Sequence, residues 1–239
     1  RDTKIISPPS DCISPIGAEE LEKGLKKELK AEFYTAVTRP PSVYRGNPFI
    51  IEAGVAYGGE QEEEKQARLL RFANRVPLLY QPGACAINKS VVQTKWRNYG
   101  LGQSKGSLPV GPCTIVVHIA SVWVPFTSES KEAIAHYPEI IKDIKLALQE
   151  CGRKLNIYVR KKRHIAAEGK KRDYISAFIP HIGDALKELL RLSDNQEKKV
   201  ERLLKKILER KRGKLEQIKF SNLDFDKDLA LEGGKDGKK

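Results

Sequence analysis

Apolar positions fall into two regimes along this chain. Up to about residue 126 they gather in short runs bounded by Pro, Gly and acidic turns; beyond it they recur every three or four positions among many charges. Residues 18–31, AEELEKGLKKELKA, set Leu21, Leu25 and Leu29 on one stripe and predict an amphipathic helix. Four β-prone runs follow: 33–38, stopped by Arg39-Pro40-Pro41; 49–57, closed by Gly58-Gly59; 67–80, with Pro77 near its end; and 113–126, the most apolar, expected at the centre of a sheet. The second and third, separated by the acidic stretch Glu60 to Glu64, read as a β-hairpin. Thr127 or Ser128 is placed to cap a helix over about 130–151, which Pro138 should kink or restart and Gly152 should end. A helical block over 173–192 carries Pro180 as an interruption. A charged helix over 196–219 follows, with Val200, Leu203, Leu204, Ile207 and Leu208 on a stripe too narrow for a core. The expected organisation is a lead-in and helix (1–32) and an α+β domain (33–192), a four-stranded sheet with helices packed on one face. A partner-docking helix (193–220) and a disordered tail (221–239) complete it.

Charge sharpens this outline. With 239 residues, a formal net charge of +13 and a pI near 9.5, the chain favours a polyanionic partner, nucleic acid before an anionic membrane surface. No apolar run reaches the roughly 18 residues of a membrane span and no signal peptide is read, so a cytoplasmic location on DNA is expected. Cys12, Cys85, Cys113 and Cys151 form no C-x-x-C pair and read as buried thiols of an intracellular protein, with no metal bound. His118, His136, His164 and His181 show no ligand spacing, and His118, inside the most apolar run, reads as a satisfied core histidine. The first residue is Arg1, and both a naturally split protein and a piece of a longer chain stay open.

The stretch with the most chemistry is 71–101, RFANRVPLLYQPGACAINKSVVQTKWRNYGL. A strand, a Gln81-Pro82-Gly83 turn, a short helix bearing Lys89 and the loop Lys95-Trp96-Arg97-Asn98-Tyr99 follow one another there, an arrangement in which loops carry function. Lys95, Trp96, Arg97 and Tyr99 form either an aromatic cluster at the edge of the core or a DNA-contacting loop, in which cations neutralise phosphates and aromatics stack. The basic belt of residues 153–172, including Arg160, Lys161, Lys162 and Arg163, is either a solvated helix face or a sequence-independent phosphate track. Ser128-Glu129-Ser130-Lys131 has S-x-x-K spacing without S-D-N or K-T-G, which leaves Ser128 a cap and not a nucleophile. Gly102 to Ser107 only superficially resembles a phosphate loop.

The ordered motifs Pro8 to Gly17, Tyr44 to Ile50, Arg71 to Tyr80, Trp96 to Leu101 and His118 to Ile134 resemble the transducer domain of the B subunit of archaeal and plant type DNA topoisomerase VI. The resemblance runs from about residue 8 to about residue 190. It implies a four-stranded transducer sheet backed by helices and a long C-terminal helix leading away. It further implies a role in relaying ATP binding and hydrolysis in an adjacent domain to double-strand DNA cleavage and strand passage by the A subunit. In such transducers a lysine reaches the γ-phosphate of ATP; the match falls on Lys89, with Lys95, in a Gln93-Thr94-Lys95 triplet like that of gyrase-type transducers, as the alternative. The family's W-K-x-Y motif, read as a DNA contact, falls on Trp96, Arg97 and Tyr99, with Arg97 keeping the charge. ATP and Mg²⁺ are then bound mainly outside this chain. The implied partners are the topoisomerase VI A subunit, the ATP-binding half of the B subunit and double-stranded DNA, and the chain alone should be inactive. A stand-alone basic nucleic-acid-binding protein without ATP dependence is the other class the sequence leaves open.

Overall fold

The computed structural model describes residues 12–212. They divide into two compact units, the first ending at Tyr158 and the second starting at Val159.

The first unit is built on one mixed sheet. Its strands are β1 (Phe33–Thr38), β2 (Ser42–Tyr44), β3 (Asn47–Tyr57), β4 (Arg68–Ala73), β5 (Val76–Pro77) and, after the small pair β6 (Gly102–Gln103) and β7 (Pro109–Val110), β8 (Cys113–Ser121). The order is β1-β3-β8-β4-β5, with β2 added to β3. The strand expected at the centre takes the centre: all nine residues of β8 are buried, as a strand paired on both edges and covered on both faces requires. That placement corrects the expected hairpin. The run at 49–57 does not pair with the run at 67–80; β8 lies between them, antiparallel to β3 and parallel to β4. Inserting β8 buries the most apolar strand on both edges, which a direct β3–β4 hairpin would leave half exposed.

The expected strand 67–80 is broken as well. Asn74 and Arg75 both adopt left-handed backbone, φ 46° and 69°, and fold β5 back on the end of β4. Arg45-Gly46 makes the same kind of turn between β2 and β3, so that Tyr44 to Ile50 is a hairpin the apolar pattern did not announce.

Both faces of the sheet are covered. Helix α1 (Ala18–Glu28) buries Leu21 and Leu25 against Ala36, Ala56 and Val116, as its leucine stripe predicts. Its approach depends on Gly54, where a Cβ would lie 2.9 Å from Leu25 Cδ1. The other face receives the first part of α3 (Pro138–Leu190): Tyr158 stacks on Phe33 at 4.9 Å and meets Tyr57 edge-on, and Cys151 Sγ donates to Ala53 O at 3.5 Å. The four expected strands backed by helices are therefore present, with α1 added on the second face.

Pro138 starts α3 and does not kink it. The expected caps Thr127 and Ser128 lie in an irregular segment instead, where Thr127 N donates to Ala133 O and Ala135 N to Pro125 O. Proline at the first turn costs no hydrogen bond, which makes it a natural start. Gly152 sits inside α3 and Pro180 is carried within it, so neither ends the helix. Three cysteines are buried as expected, while Cys12 is exposed.

In the second unit α3 ends at Leu190, Arg191 turns left-handed (φ 48°), and α4 (Asp194–Arg212) begins. Lys187 holds both Asp194 and Glu197 of the first turn of α4 in ion pairs. On α4 Leu204 and Leu208 are half-buried, while Leu203 and Ile207 stand exposed. The expected helical residues beyond Arg212 and the tail at 221–239 lie outside the described residues. Among the described residues no helix is long and apolar enough to cross a membrane.

Candidate functional site

The turn after β5 is held from below. Arg71, buried in β4, donates from Nη2 to Tyr80 O at 2.9 Å and so fixes the chain just before the Pro82–Ala84 3₁₀ turn. Helix α2 (Ala86–Gln93) follows at once. Ala86, Ile87, Ser90 and Val91 form its buried face, and Ala86 N donates to Ile134 O at 2.8 Å. Lys89 lies on the opposite, exposed face, with its Nζ 3.4 Å from His136 Nδ1. The site thus presents an ammonium on a short rigid helix with an imidazole beside it. His136 lies 47 residues away in sequence, and no spacing could have paired it with Lys89.

Beyond α2 the basic-aromatic loop divides by burial. Thr94 ends the helix, its hydroxyl donating to Ser90 O, and Lys95 is exposed at the bend. Trp96 is fully buried, and its indole Nε1 donates to Val91 O at 2.8 Å. Of the two readings the loop left open, Trp96 takes the core-edge cluster and not the stack on DNA: an indole with no exposed face and a satisfied N–H packs as a core residue. Tyr99 is half-buried, edge-on to Trp96 at 6.1 Å, and its ring lies against Gly152, where a Cβ would come within 2.6 Å of it. Burial raises the Tyr99 phenol above its usual range, with Arg153 pulling the other way. Arg97 is exposed and donates from Nε to Gln103 O at 2.8 Å.

Gln103, which sequence reasoning passed over inside an aperiodic loop, clamps the turn. Its Oε1 accepts from Trp96 N at 3.1 Å, and its Nε2 donates to Val92 O and Ser107 O. Lys95 and Arg97 are therefore exposed cations on a loop whose aromatic underside is packed and hydrogen-bonded. The belt residues Arg160, Lys161, Lys162 and Arg163 belong to the second unit, on α3, with Arg160, Lys162 and Arg163 exposed.

A second polar cluster lies on the α1 face, where the sequence pointed only to a core histidine. Glu52 of β3 is completely buried and accepts four hydrogen bonds: from Ile16 N (2.8 Å), Gly17 N (2.7 Å), Thr38 Oγ1 (2.9 Å) and His118 Nδ1 (2.7 Å). His118 Nε2 in turn accepts from Arg75 N at 3.0 Å, which assigns the imidazole proton to Nδ1. Burial alone would raise the Glu52 carboxyl. The bonds from His118, the Ile16 and Gly17 amides and Thr38 outweigh it and hold the group at about 2.

Similarity to known proteins runs along nearly the whole described chain. The family "Topoisomerase VI B subunit, transducer" matches residues 8–172. The B subunit of type 2 DNA topoisomerase 6 from Natronomonas pharaonis is 49% identical over 190 residues, covering 79% of this chain and 24% of that protein. Its counterpart of the same name from Methanococcoides burtonii is 46% identical over 190 residues, covering 80% and 30%. The one from Archaeoglobus fulgidus is 43% identical over 208 residues, covering 87% and 34%. The chain thus spans about a quarter to a third of the length of these relatives. Among solved structures, the B subunit of DNA gyrase from Myxococcus xanthus is a weak neighbour, with a TM-score of 0.36 and 17% identity over 56% of this chain and 42% of that one. A family match over residues 8–172, with identities of 43–49% behind it, has one meaning: this chain belongs to the topoisomerase VI B subunit transducer family.

Proposed function

We propose that this chain is the ATP-coupling part of a topoisomerase VI B subunit, relaying nucleotide state in an adjoining domain to DNA cleavage and strand passage by the A subunit. The observation that carries this reading is the placement of Lys89: a cation raised on the outer face of a helix whose inner face is locked into the core. The donors at hand, one ammonium and one imidazole, fit a terminal phosphate oxygen. ATP and Mg²⁺ are assigned mainly to the adjoining nucleotide-binding half, and bound there they supply the γ-phosphate whose presence or loss is sensed. A contact made to ATP and absent with ADP favours one domain arrangement over the other, which is what a switch needs. Lys95 is the alternative switch lysine; its position beside Arg97 suits a phosphate of DNA better.

The DNA surface of this reading comprises Lys95, Arg97 and the exposed part of Tyr99, with Trp96 as their support. The belt around Arg160 to Arg163 adds a sequence-independent track. Helix α4, with Leu203 and Ile207 exposed, is the surface for the A subunit. The chain by itself neither hydrolyses ATP nor cleaves DNA.

The test is Lys89→Ala in the full-length B subunit paired with the A subunit. Losing a charge-assisted phosphate contact should cost roughly 1.5–3 kcal/mol, about a tenfold to hundredfold fall in ATP-driven supercoil relaxation. Normal relaxation in Lys89→Ala with collapse in Lys95→Ala would move the switch to Lys95.

A further inference from the structure

The lead-in from Ser14 to Gly17 is held by a set of bonds that its own sequence does not require. Glu52 accepts from the Ile16 and Gly17 amides, and the Arg75 guanidinium donates to Ser14 Oγ at 3.1 Å and to Pro15 O at 3.0 Å. Ile13 is buried against Ile50 and Ala120 beside them. Arg75 is also one of the two left-handed residues that turn β4 into β5, and its backbone N–H is the one received by His118 Nε2. Three residues further on, Leu78 N donates to Arg71 O, and Arg71 reaches forward to Tyr80 O, directly before the turn that begins the α2 segment. The lead-in and the base of the Lys89 helix are therefore tied, through Glu52, His118 and Arg75, to the same β4–β5 turn.

A packing role alone would not call for this chemistry. Burying a carboxylate and an imidazole where aliphatic side chains would fit is costly unless each bond is made, and here each is made to a different segment. Glu52 holds the lead-in and His118 holds the β4–β5 turn. The His118 ring joins the two from within the core, because one ring nitrogen faces each side.

We propose that Glu52, His118 and Arg75 are positioning residues of the nucleotide switch, locking the lead-in to the β4–β5 turn so that displacement of one is delivered to the other. The inference rests on the switch reading above: Lys89 senses the nucleotide, and this cluster fixes the frame against which it moves. His118 is the buried joint, since a side chain without two opposed polar atoms leaves only the exposed bonds from Arg75 to Ser14 and Pro15 between the two segments.

The experiment measures strand passages per ATP hydrolysed by the full-length B subunit paired with the A subunit, for His118→Leu, His118→Gln, Arg75→Ala and Lys89→Ala. Glutamine keeps a donor and an acceptor and should preserve the ratio; leucine should lower it about fivefold or more, with ATP turnover retained. Arg75→Ala removes only an exposed side chain and should lower the ratio by a smaller factor, with faster hydrogen exchange at the Ile16 and Gly17 amides. An unchanged ratio in His118→Leu, or a parallel fall of ATP turnover and strand passage, overturns the proposal. Should His118→Leu not fold, Arg75→Ala decides in the same way. If Lys89→Ala lowers the ratio and these variants do not, the positioning role falls and the switch reading stands. If Lys89→Ala has no effect while they do, the switch lysine is misassigned and the positioning role stands.

Discussion

Two histidines in this molecule each face one charged side chain, and they do opposite things. His118 meets Glu52 at 2.7 Å with both side chains fully buried and every polar atom of the pair given a partner. His136 meets Lys89 at 3.4 Å in the open, with nothing forcing the pair to persist. Burial separates the two cases. A charge withdrawn from water must be satisfied and then becomes rigid, whereas a charge left in water keeps its freedom and can exchange one partner for another. The first kind of pair suits a frame, and the second suits the sensor proposed above. The same division runs through the basic-aromatic loop: Trp96 is inside and bonded, while Lys95 and Arg97 are outside.

The largest effects fall on the buried side of the comparison. Trp96→Ala should cost about 3–5 kcal/mol of stability through the cavity it leaves, measured by urea unfolding, and should change the salt slope of DNA binding little. A lowered slope at a temperature where the variant is folded would return the indole to the DNA surface. Glu52→Gln keeps the shape but removes the charge that four donors address, and should destabilise the domain by about 2–4 kcal/mol. The pH dependence has a definite sign. The folded carboxyl sits at about 2 against an ordinary 4.5, so the stability it contributes is complete above 4.5 and is lost as pH falls toward 2. The groups facing it are His118, Thr38 and the amides of Ile16 and Gly17, with Arg75 behind His118. In Glu52→Gln this acid-side loss should flatten; an unchanged acid limb would show that another carboxylate governs it.

The exposed side of the comparison is sharpened through DNA. Replacing Lys95 and Arg97 together by alanine should reduce the salt slope of DNA binding by about one unit for each phosphate they neutralise, with the melting temperature nearly unchanged. A fall in melting temperature without a change of slope would make the pair part of the frame.

How far the sequence led depended on whether a feature was local. The leucine stripe of α1, the central position of β8 and the Lys89-bearing helix are local patterns and were legible. The partners of β4 were not, because strand order is decided by which strand gains most from the centre, a global competition. The turn at Asn74-Arg75 was missed because left-handed backbone usually announces itself with glycine, and here an asparagine and an arginine adopt it, supported by His118 accepting from Arg75 N. Burial of Trp96 was hidden for a related reason. Its acceptor, Val91 O, becomes available only once α2 ends and the chain doubles back, while a tryptophan among cations looks the same on paper whether it faces inward or outward. Gln103 and Glu52 did not stand out in the sequence, since their roles lie entirely in the groups that come to meet them.

The smallest expected effect concerns His136, and it tests whether the proposed sensor has one active member or two. At 3.4 Å and open to water, the imidazole offers Lys89 a weak acceptor, so His136→Ala should alter stability by less than about 0.5 kcal/mol. Its influence on function depends on what the ring does when a phosphate arrives. If it only parks the lysine, removing it frees the ammonium and leaves ATP-driven relaxation within about twofold of the parent, since an exposed contact of this kind is worth roughly 0–1 kcal/mol. If it donates to the same phosphate, His136→Ala should approach Lys89→Ala in its loss, and the double variant should be no worse than either alone. Relaxation rates of the two single variants and the double variant, taken as a double-mutant cycle, separate these cases. The geometry favours the first: Lys89 stands on a helix whose inner face is fixed in the core, whereas His136 lies in the irregular segment ahead of Pro138.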